Sequence, residues 1–221
     1  MGIHRIDVYR SPNIGIFLKA SDKLLLSPKG LAESKVAKLS EYLRVEAVQT
    51  SVFSSRLLGP LIAMNSRGIL LPTLAEEEEI AVLQKVASIP VETVDARYSC
   101  IGNLVACNDK GAIVSPLLPT GAVQRIHDVL DVPVEAIDVA SYKQVGSMVV
   151  ATNQGAVVHP RASDEEVARI AEALKVSVEP CTINGGVPYV ASGLVANSRE
   201  AVTGTVTSGP ELAMLSRAFG V

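Results

Sequence analysis

The sequence predicts an α/β ring closed from five repeats. Three observations carry this reading. Four prolines, Pro28, Pro72, Pro116 and Pro160, stand 44 residues apart, and five units of that length span 220 of the 221 residues; a period of this size marks a repeat architecture. Each unit follows one plan: two short strands across a tight turn, a helix, then a strand of alternating apolar and polar residues. The fifth unit runs out at its helix, and the alternating segment it lacks stands at the other end of the chain, Ile3-His4-Arg5-Ile6-Asp7-Val8. Borrowing that segment closes the ring and removes an exposed sheet edge. The predicted units are residues 11–54, 55–98, 99–142, 143–189 and 190–221, with 3–9 as the closing strand of a single domain.

The third unit reads most clearly. Ile101-Gly102-Asn103 opens it, Leu104-Val105-Ala106-Cys107 is a short strand, and Asn108-Asp109-Lys110-Gly111 is a turn built from residues that tolerate positive φ. Ala112-Ile113-Val114-Ser115 returns, and Pro116, having no N–H for the ladder, ends the strand. Val123, Ile126 and Leu130 then fall on one helical stripe, and Val134 to Val139 alternates. The second unit follows the same plan, with Leu58 through Met64 leading to the turn Asn65 to Gly68 and then Ile69 to Pro72. In the fourth, Gly146 through Ala151 leads to the turn Asn153-Gln154-Gly155 and then Ala156 to Pro160. The first opens at Gly15, turns at Ser21-Asp22 and returns over Leu24 to Pro28; the fifth opens at Gly193 and turns at Asn197 to Glu200 without a turn glycine. Alternating strands follow at Val45 to Val48, Val91 to Val94 and Val176 to Glu179. Thr73-Leu74-Ala75-Glu76, Ser163-Asp164-Glu165-Glu166 and Ser208-Gly209-Pro210-Glu211 each fit the S/T-x-x-E capping box at a helix start.

Composition narrows the function. Hydrophobic residues make up 48% and aromatics 4%, with no Trp, so the core is aliphatic. A net charge of −3 gives no overall signal for nucleic acid, which basic chains recognise through phosphate neutralisation. Three cysteines fit reduced cytosolic thiols better than a disulfide framework. The N-terminal residues carry charges where a signal peptide needs an apolar stretch, and no apolar run reaches the roughly 18 residues of a membrane-spanning helix. A cytoplasmic protein is expected, with no cofactor and no metal.

The segments Ile101 through Asp109, Asn65 through Pro72, Ser147 through Gly155 and Val157 through Pro160 resemble, in order and spacing, the translation initiation factor 6 family of ribosome anti-association factors, in its shorter archaeal form without the eukaryotic C-terminal tail. The resemblance covers nearly the whole chain. It implies a five-bladed α/β propeller of the pentein type, acting as a monomer on the large ribosomal subunit. The contacts it implies go chiefly to ribosomal protein uL14, with the sarcin–ricin loop of the rRNA nearby. The action it implies is steric: the bound factor keeps the small subunit from joining, and no chemistry is needed.

The residues after the repeat-opening glycines, Ile16, Pro60, Asn103, Ser147 and Leu194, are expected to form a rim at one end of the axis. Packing alone would make them alike; they differ, which suggests a surface tuned position by position. In the family the Asn at the place of Asn103 belongs to the ribosome-binding face. Asn13, Gly15, Arg56, Pro60 and Ser147 lie on the same predicted rim, Pro60 standing where a basic residue is frequent. Asn65, Asn108, Asn153 and Asn197 read as hairpin residues chosen for φ and ψ; a polar ring around the axis is the other reading. His159 reads as structural, His127 as solvated, His4 as part of the closing strand and Cys107 as a small core residue. The run Glu76 to Glu79 reads as a helix N-terminus, where negative charge suits the dipole. Two rival functions remain: a scaffold for another partner, and a guanidine-modifying enzyme of the pentein kind, with a Cys nucleophile and a His base. Cys107 and Cys181 lie within repeat elements and no insertion interrupts the period, so an enzyme is not expected.

Overall fold

The period is visible in the element order of the computed structural model, which describes residues 2–220; Val221, the end of the predicted fifth unit, lies outside the described residues. Strand β1 (Gly2–Arg5) leads to a 3₁₀ turn (Ile14–Ile16) and the first unit, β2 (Lys19–Ala20), β3 (Leu24–Pro28), α1 (Glu33–Leu43) and β4 (Glu46–Thr50). The second unit is α2 (Leu58–Leu61), β5 (Ala63–Met64), β6 (Ile69–Pro72), α3 (Glu77–Ala87) and β7 (Val91–Val94). The third is α4 (Ile101–Leu104), β8 (Val105–Cys107), β9 (Ala112–Val114), α5 (Thr120–Leu130) and β10 (Val134–Ala136). The fourth is α6 (Val145–Met148), β11 (Val149–Ala151), β12 (Gly155–Val158), α7 (Asp164–Leu174) and β13 (Ser177–Pro180). The fifth is α8 (Val190–Gly193), β14 (Leu194–Ala196), β15 (Glu200–Thr203) and α9 (Gly209–Phe219). The result is a mixed α/β, pentein-like repeated fold of five small three-stranded sheets.

In each sheet an antiparallel hairpin takes a parallel third strand on its returning edge. In the fifth sheet that strand is β1: Gly2, Ile3, His4 and Arg5 pair in parallel with Glu200, Ala201, Val202 and Thr203. The closing strand is therefore where the sequence placed it. Glu200 occupies the place of the missing turn glycine and fastens the join. Buried to 3% exposure, it accepts from the Gly2 N–H at 2.7 Å, meets the His4 ring at 3.2 Å and pairs with Arg44 at 2.8 Å.

The segment that opens each unit has a conformation of its own, where the first unit's expected strand runs from Gly15 through Ala20. It is a single helical turn in α2, α4, α6 and α8 and a 3₁₀ turn in the first unit, followed by the strand. The cause is close packing around the axis. A Cβ on Gly59 would lie 1.8 Å from the Gly15 carbonyl oxygen, one on Gly102 2.0 Å from that of Gly59, and one on Gly146 2.1 Å from that of Gly102. One on Gly15 would lie 2.0 Å from the Ala191 oxygen, so the series runs from the last unit back to the first. Ala191, not Gly193, thus holds the repeat-opening place in the fifth unit. The counterpart of Asn103 is Ser192, and the expected Leu194 instead begins β14.

The helices bury the stripes predicted for them. Ile126, Leu130, Ile170, Leu174, Leu215 and Phe219 are buried, while Val123, Val167 and Leu212 form the half-buried edges. Five aliphatic clusters result, each drawing on adjoining units. One joins Leu26 to Leu58 and Leu83, and another joins Val195 and Val202 of the last unit to Leu39 and Leu43 of the first. Each buried Leu or Val contributes on the order of 1.5–3 kcal/mol, so the units stabilise one another across every joint. The boxes at Ser163 and Ser208 cap α7 and α9 as expected. Thr73 does not cap α3: residues 73–75 turn on the Ala75 N–H to Pro72 carbonyl bond at 3.0 Å, and the box falls three residues later, on Glu76 and Glu79.

The turn asparagines lock hairpins to neighbouring helices. The Asn65 amide donates to the last carbonyl of α5, Leu130, at 2.9 Å, that of Asn108 to Leu174 of α7 at 2.8 Å, and that of Asn197 to Leu43 of α1 at 2.7 Å. Each side-chain oxygen accepts two turn N–H groups, as Asn108 does from Lys110 and Gly111. Helix ends leave such carbonyls without partners, so one amide joins two units. Asn153 is not a member of this set; Thr152 holds the equivalent place, its hydroxyl accepting from Gln154 and Gly155. Asn153 instead lies at the hairpin end of the axis, where its amide donates to Asp22 at 2.9 Å and Asp109 at 2.7 Å. The hairpin reading thus holds for Asn65, Asn108 and Asn197, and of the four only Asn153 directs its amide to the hairpin end of the axis, so they do not form a polar ring.

Candidate functional site: the rim at the helical-turn end

The two ends of the axis differ. At one end the hairpin turns link side chain to backbone in sequence. Asp109 accepts from the Ser66 N–H, Asn153 from Asp109, the Ser198 hydroxyl from Asn153, and Asp22 from Ser198, at 2.6–3.0 Å. At the other end the helical turns surround the mouth of a cavity of about 480 Å³, bordered by Ile16, Pro60, Asn103, Ser147 and Ser192. Three of the predicted site residues, Asn103, Pro60 and Ser147, therefore sit together on one rim. Gly15 lines the same cavity but is buried in the ring contact with Ala191. Its place follows from packing.

Polar groups on this rim are left free of the fold. Among the described residues no side-chain hydrogen bond within the chain involves the half-buried Asn103 amide, and none involves the Ser147 hydroxyl. Asn13 is held from the side: its N–H donates to Ser11 Oγ at 3.2 Å and its side-chain oxygen accepts from Asn184 at 3.3 Å. Asn184 also donates to the Pro12 carbonyl at 2.9 Å. Arg56 stands outside the mouth, its guanidinium 5.6 Å from the centre of the Tyr9 ring, which itself meets Phe17 edge-on at 5.2 Å.

Tight turns that sequence reading missed raise this rim. Val8 to Ser11, Val52 to Ser55, Val139 to Tyr142 and Ile183 to Val187 each close on an isolated bridge. Each places a consecutive pair in the left-handed region: Tyr9 and Arg10, Phe53 and Ser54, Ala140 and Ser141, Asn184 and Gly185. Only the last pair contains a glycine, so turn chemistry gave no signal. The signal lay at the helix starts. The third residue of the helix is a glutamate that reaches past its own cap to the turn. Glu79 accepts from Ser51 at 2.7 Å, Phe53 N–H at 2.7 Å and Ser54 N–H at 3.0 Å; Glu166 accepts from Ala140 N–H at 2.9 Å. Glu211 accepts from Thr182 at 2.8 Å and from the Gly185 and Gly186 N–H groups at 3.0 and 2.8 Å. Burial alone would raise the Glu211 carboxyl; the Ser208 and Gly185 N–H groups and the Thr182 hydroxyl outweigh it and hold the group down at about 2.

The turns leave apolar side chains in solvent: Phe53 is 58% exposed, Leu57 45%, Tyr189 41% and Tyr9 38%. Aromatic and aliphatic side chains beside an arginine are the composition of protein interfaces. The two thiols within repeat elements point away from nucleophilic chemistry. Burial pushes both Cys107 and Cys181 up to about 11, whereas an activated cysteine is shifted down. His159 is buried, its ring nitrogen accepting from the Arg161 N–H at 3.1 Å, in keeping with a structural role.

The fold and its rim define a repeat-built α/β protein of the pentein-like class. The eIF-6 family model matches residues 3–218. The chain belongs to the eIF-6 family. It is 44% identical to translation initiation factor 6 of Cenarchaeum symbiosum and 42% identical to that of Nitrosopumilus maritimus, each over 99% of both chains. It is 40% identical to that of Pyrococcus horikoshii, over 100% of this chain and 99% of the relative.

Proposed function

We propose that this chain acts in translation initiation by occupying the large ribosomal subunit through the helical-turn rim and so blocking the small subunit from joining. Family membership and the shared name of the relatives support the role in protein synthesis. One observation on the molecule supports the face: five equivalent rim positions carry Ile16, Pro60, Asn103, Ser147 and Ser192, and the Asn103 amide among them is free of internal bonds. Every turn asparagine fixed by packing uses both donor and acceptor inside the fold. An unused amide, together with the exposed Phe53, Leu57 and Arg56 of the neighbouring unit, suits an external partner. On this reading the molecule is a five-bladed propeller of the pentein type and one domain, 1–221. Its partners are chiefly uL14, with the sarcin–ricin loop at the edge. A net charge of −3 suits a contact made mainly to protein, where few phosphates need neutralising.

The test is co-sedimentation with isolated large subunits, coupled to a subunit-joining assay. The protein should pellet with large subunits at micromolar concentration in low salt and lower the yield of joined ribosomes. No co-sedimentation under those conditions would refute the reading. Joining left unimpaired by a bound factor would remove its steric part.

A further inference from the structure

The axial cavity contains a charge that neither packing nor the rim uses. In the first hairpin Lys19 pairs with Leu26. The same register position in the other four is Ala63, Ala106, Val150 and Val195. Four aliphatic residues hold that place, so the fold itself does not call for a lysine there. Lys19 lines the cavity, among walls that include Met64, Ala151 and Ala196. No Asp or Glu lines it among the described residues, and no hydrogen bond or ion pair within the described residues involves the Lys19 ammonium. Asp22 and Asp109, at the hairpin end, already accept from Asn153 and from backbone N–H groups. Holding a lone cation against apolar walls costs free energy unless an anion accompanies it. Burial accordingly lowers the Lys19 pKa from the ordinary lysine value. The cavity, at about 480 Å³, falls within the range of small-molecule sites, roughly 300–1,000 Å³.

From this geometry we infer that the axial cavity binds a small organic monoanion, its carboxylate-like head on Lys19 and its apolar body against Met64, Ala151 and Ala196. The inference goes beyond the ribosomal reading, and either can fail without the other.

The test uses the full chain with hexanoate, hexanamide and inorganic phosphate as probes. Cys107 lines the cavity and Cys100 is exposed, so thiol labelling at neutral pH has an internal control, Cys107 reacting over the longer time that its raised pKa requires. Hexanoate should slow labelling of Cys107 and leave Cys100 unaffected. By calorimetry it should bind about tenfold or more tightly than hexanamide, the ratio that one charge-assisted hydrogen bond sets. Phosphate, lacking an apolar body, should protect poorly. Lys19→Met should erase the preference for hexanoate and Lys19→Arg should keep it. Equal binding of hexanoate and hexanamide, equal protection by phosphate, a preference surviving in K19M, or no protection at all would each overturn the inference. Labelling of the unmodified chain decides the matter even where K19M fails to fold.

Discussion

Single residues in this molecule divide into those consumed by the fold and those left over. Asn108 belongs to the first kind, since its amide joins the carbonyls of Thr152 and Leu174 to its own turn. Asn108→Ala should cost about 2–4 kcal/mol, because buried partners lose their bonds, read as a lower denaturant midpoint at unchanged slope. Glu211 tests the same principle through pH. Its carboxyl is depressed from 4.5 to about 2, so its stabilisation is full above the unfolded value and is lost as pH falls from about 4.5 to 2. That contribution is on the order of 3 kcal/mol. Glu211→Gln should lower stability at neutral pH and flatten the acid limb of a stability-against-pH curve. A variant with an unchanged acid limb would contradict the assignment. Asn103 belongs to the second kind: its side-chain amide makes no hydrogen bond among the described residues, and its proposed role comes with the family resemblance rather than from the repeat pattern. The repeat pattern misplaced Asn153, because an asparagine one position late imitates the turn residue that Thr152 supplies.

At the scale of elements, the period made strands, helices and their order legible, and it failed where backbone conformation is imposed by neighbours. The opening segments carry no helical pattern of their own. Glycine-to-carbonyl packing around the axis winds them into turns, and a contact between units leaves no mark within one unit's pattern. The rim turns were hidden for a related reason. Tyr9, Phe53 and Ala140 adopt positive φ although none is a turn former, and distant glutamates hold three of the four turns, at Phe53, Ala140 and Gly185. Helix ends show the same override: Arg44, Ser88, Asp131 and Lys175 are left-handed at successive C-caps where only Gly220 is a glycine. Ser88 makes no side-chain bond among the described residues, so Ser88→Gly should hold or raise stability, by up to about 1 kcal/mol. Gly220→Ala should lower it by a similar amount. Thermal unfolding of the pair checks this, and a loss in S88G would contradict the strain argument.

For the whole molecule, the strongest legible feature was closure. A unit short of one strand and a spare alternating segment at the opposite end meet as β1 on β15, with Glu200 at the join. Removing residues 1–9 strips that edge and takes Ile6 and Val8 from a cluster shared by the first and last units. The truncated chain should unfold at least ~10 °C lower, in one transition. An unshifted midpoint would mean that the ring does not depend on its closing strand. The closed ring presents hairpin turns at one end of the axis, laced by hydrogen bonds, and helical turns at the other, individually varied. The functional reading rests on that difference. The most direct test is a hydrogen-exchange map of the protein free and bound to large ribosomal subunits. The account predicts protection at residues 9–16, 53–60, 101–104 and 145–148, with the hairpin turns around Asp22, Ser66 and Asp109 unchanged. Protection confined to the hairpin end or to the outer helices would contradict it.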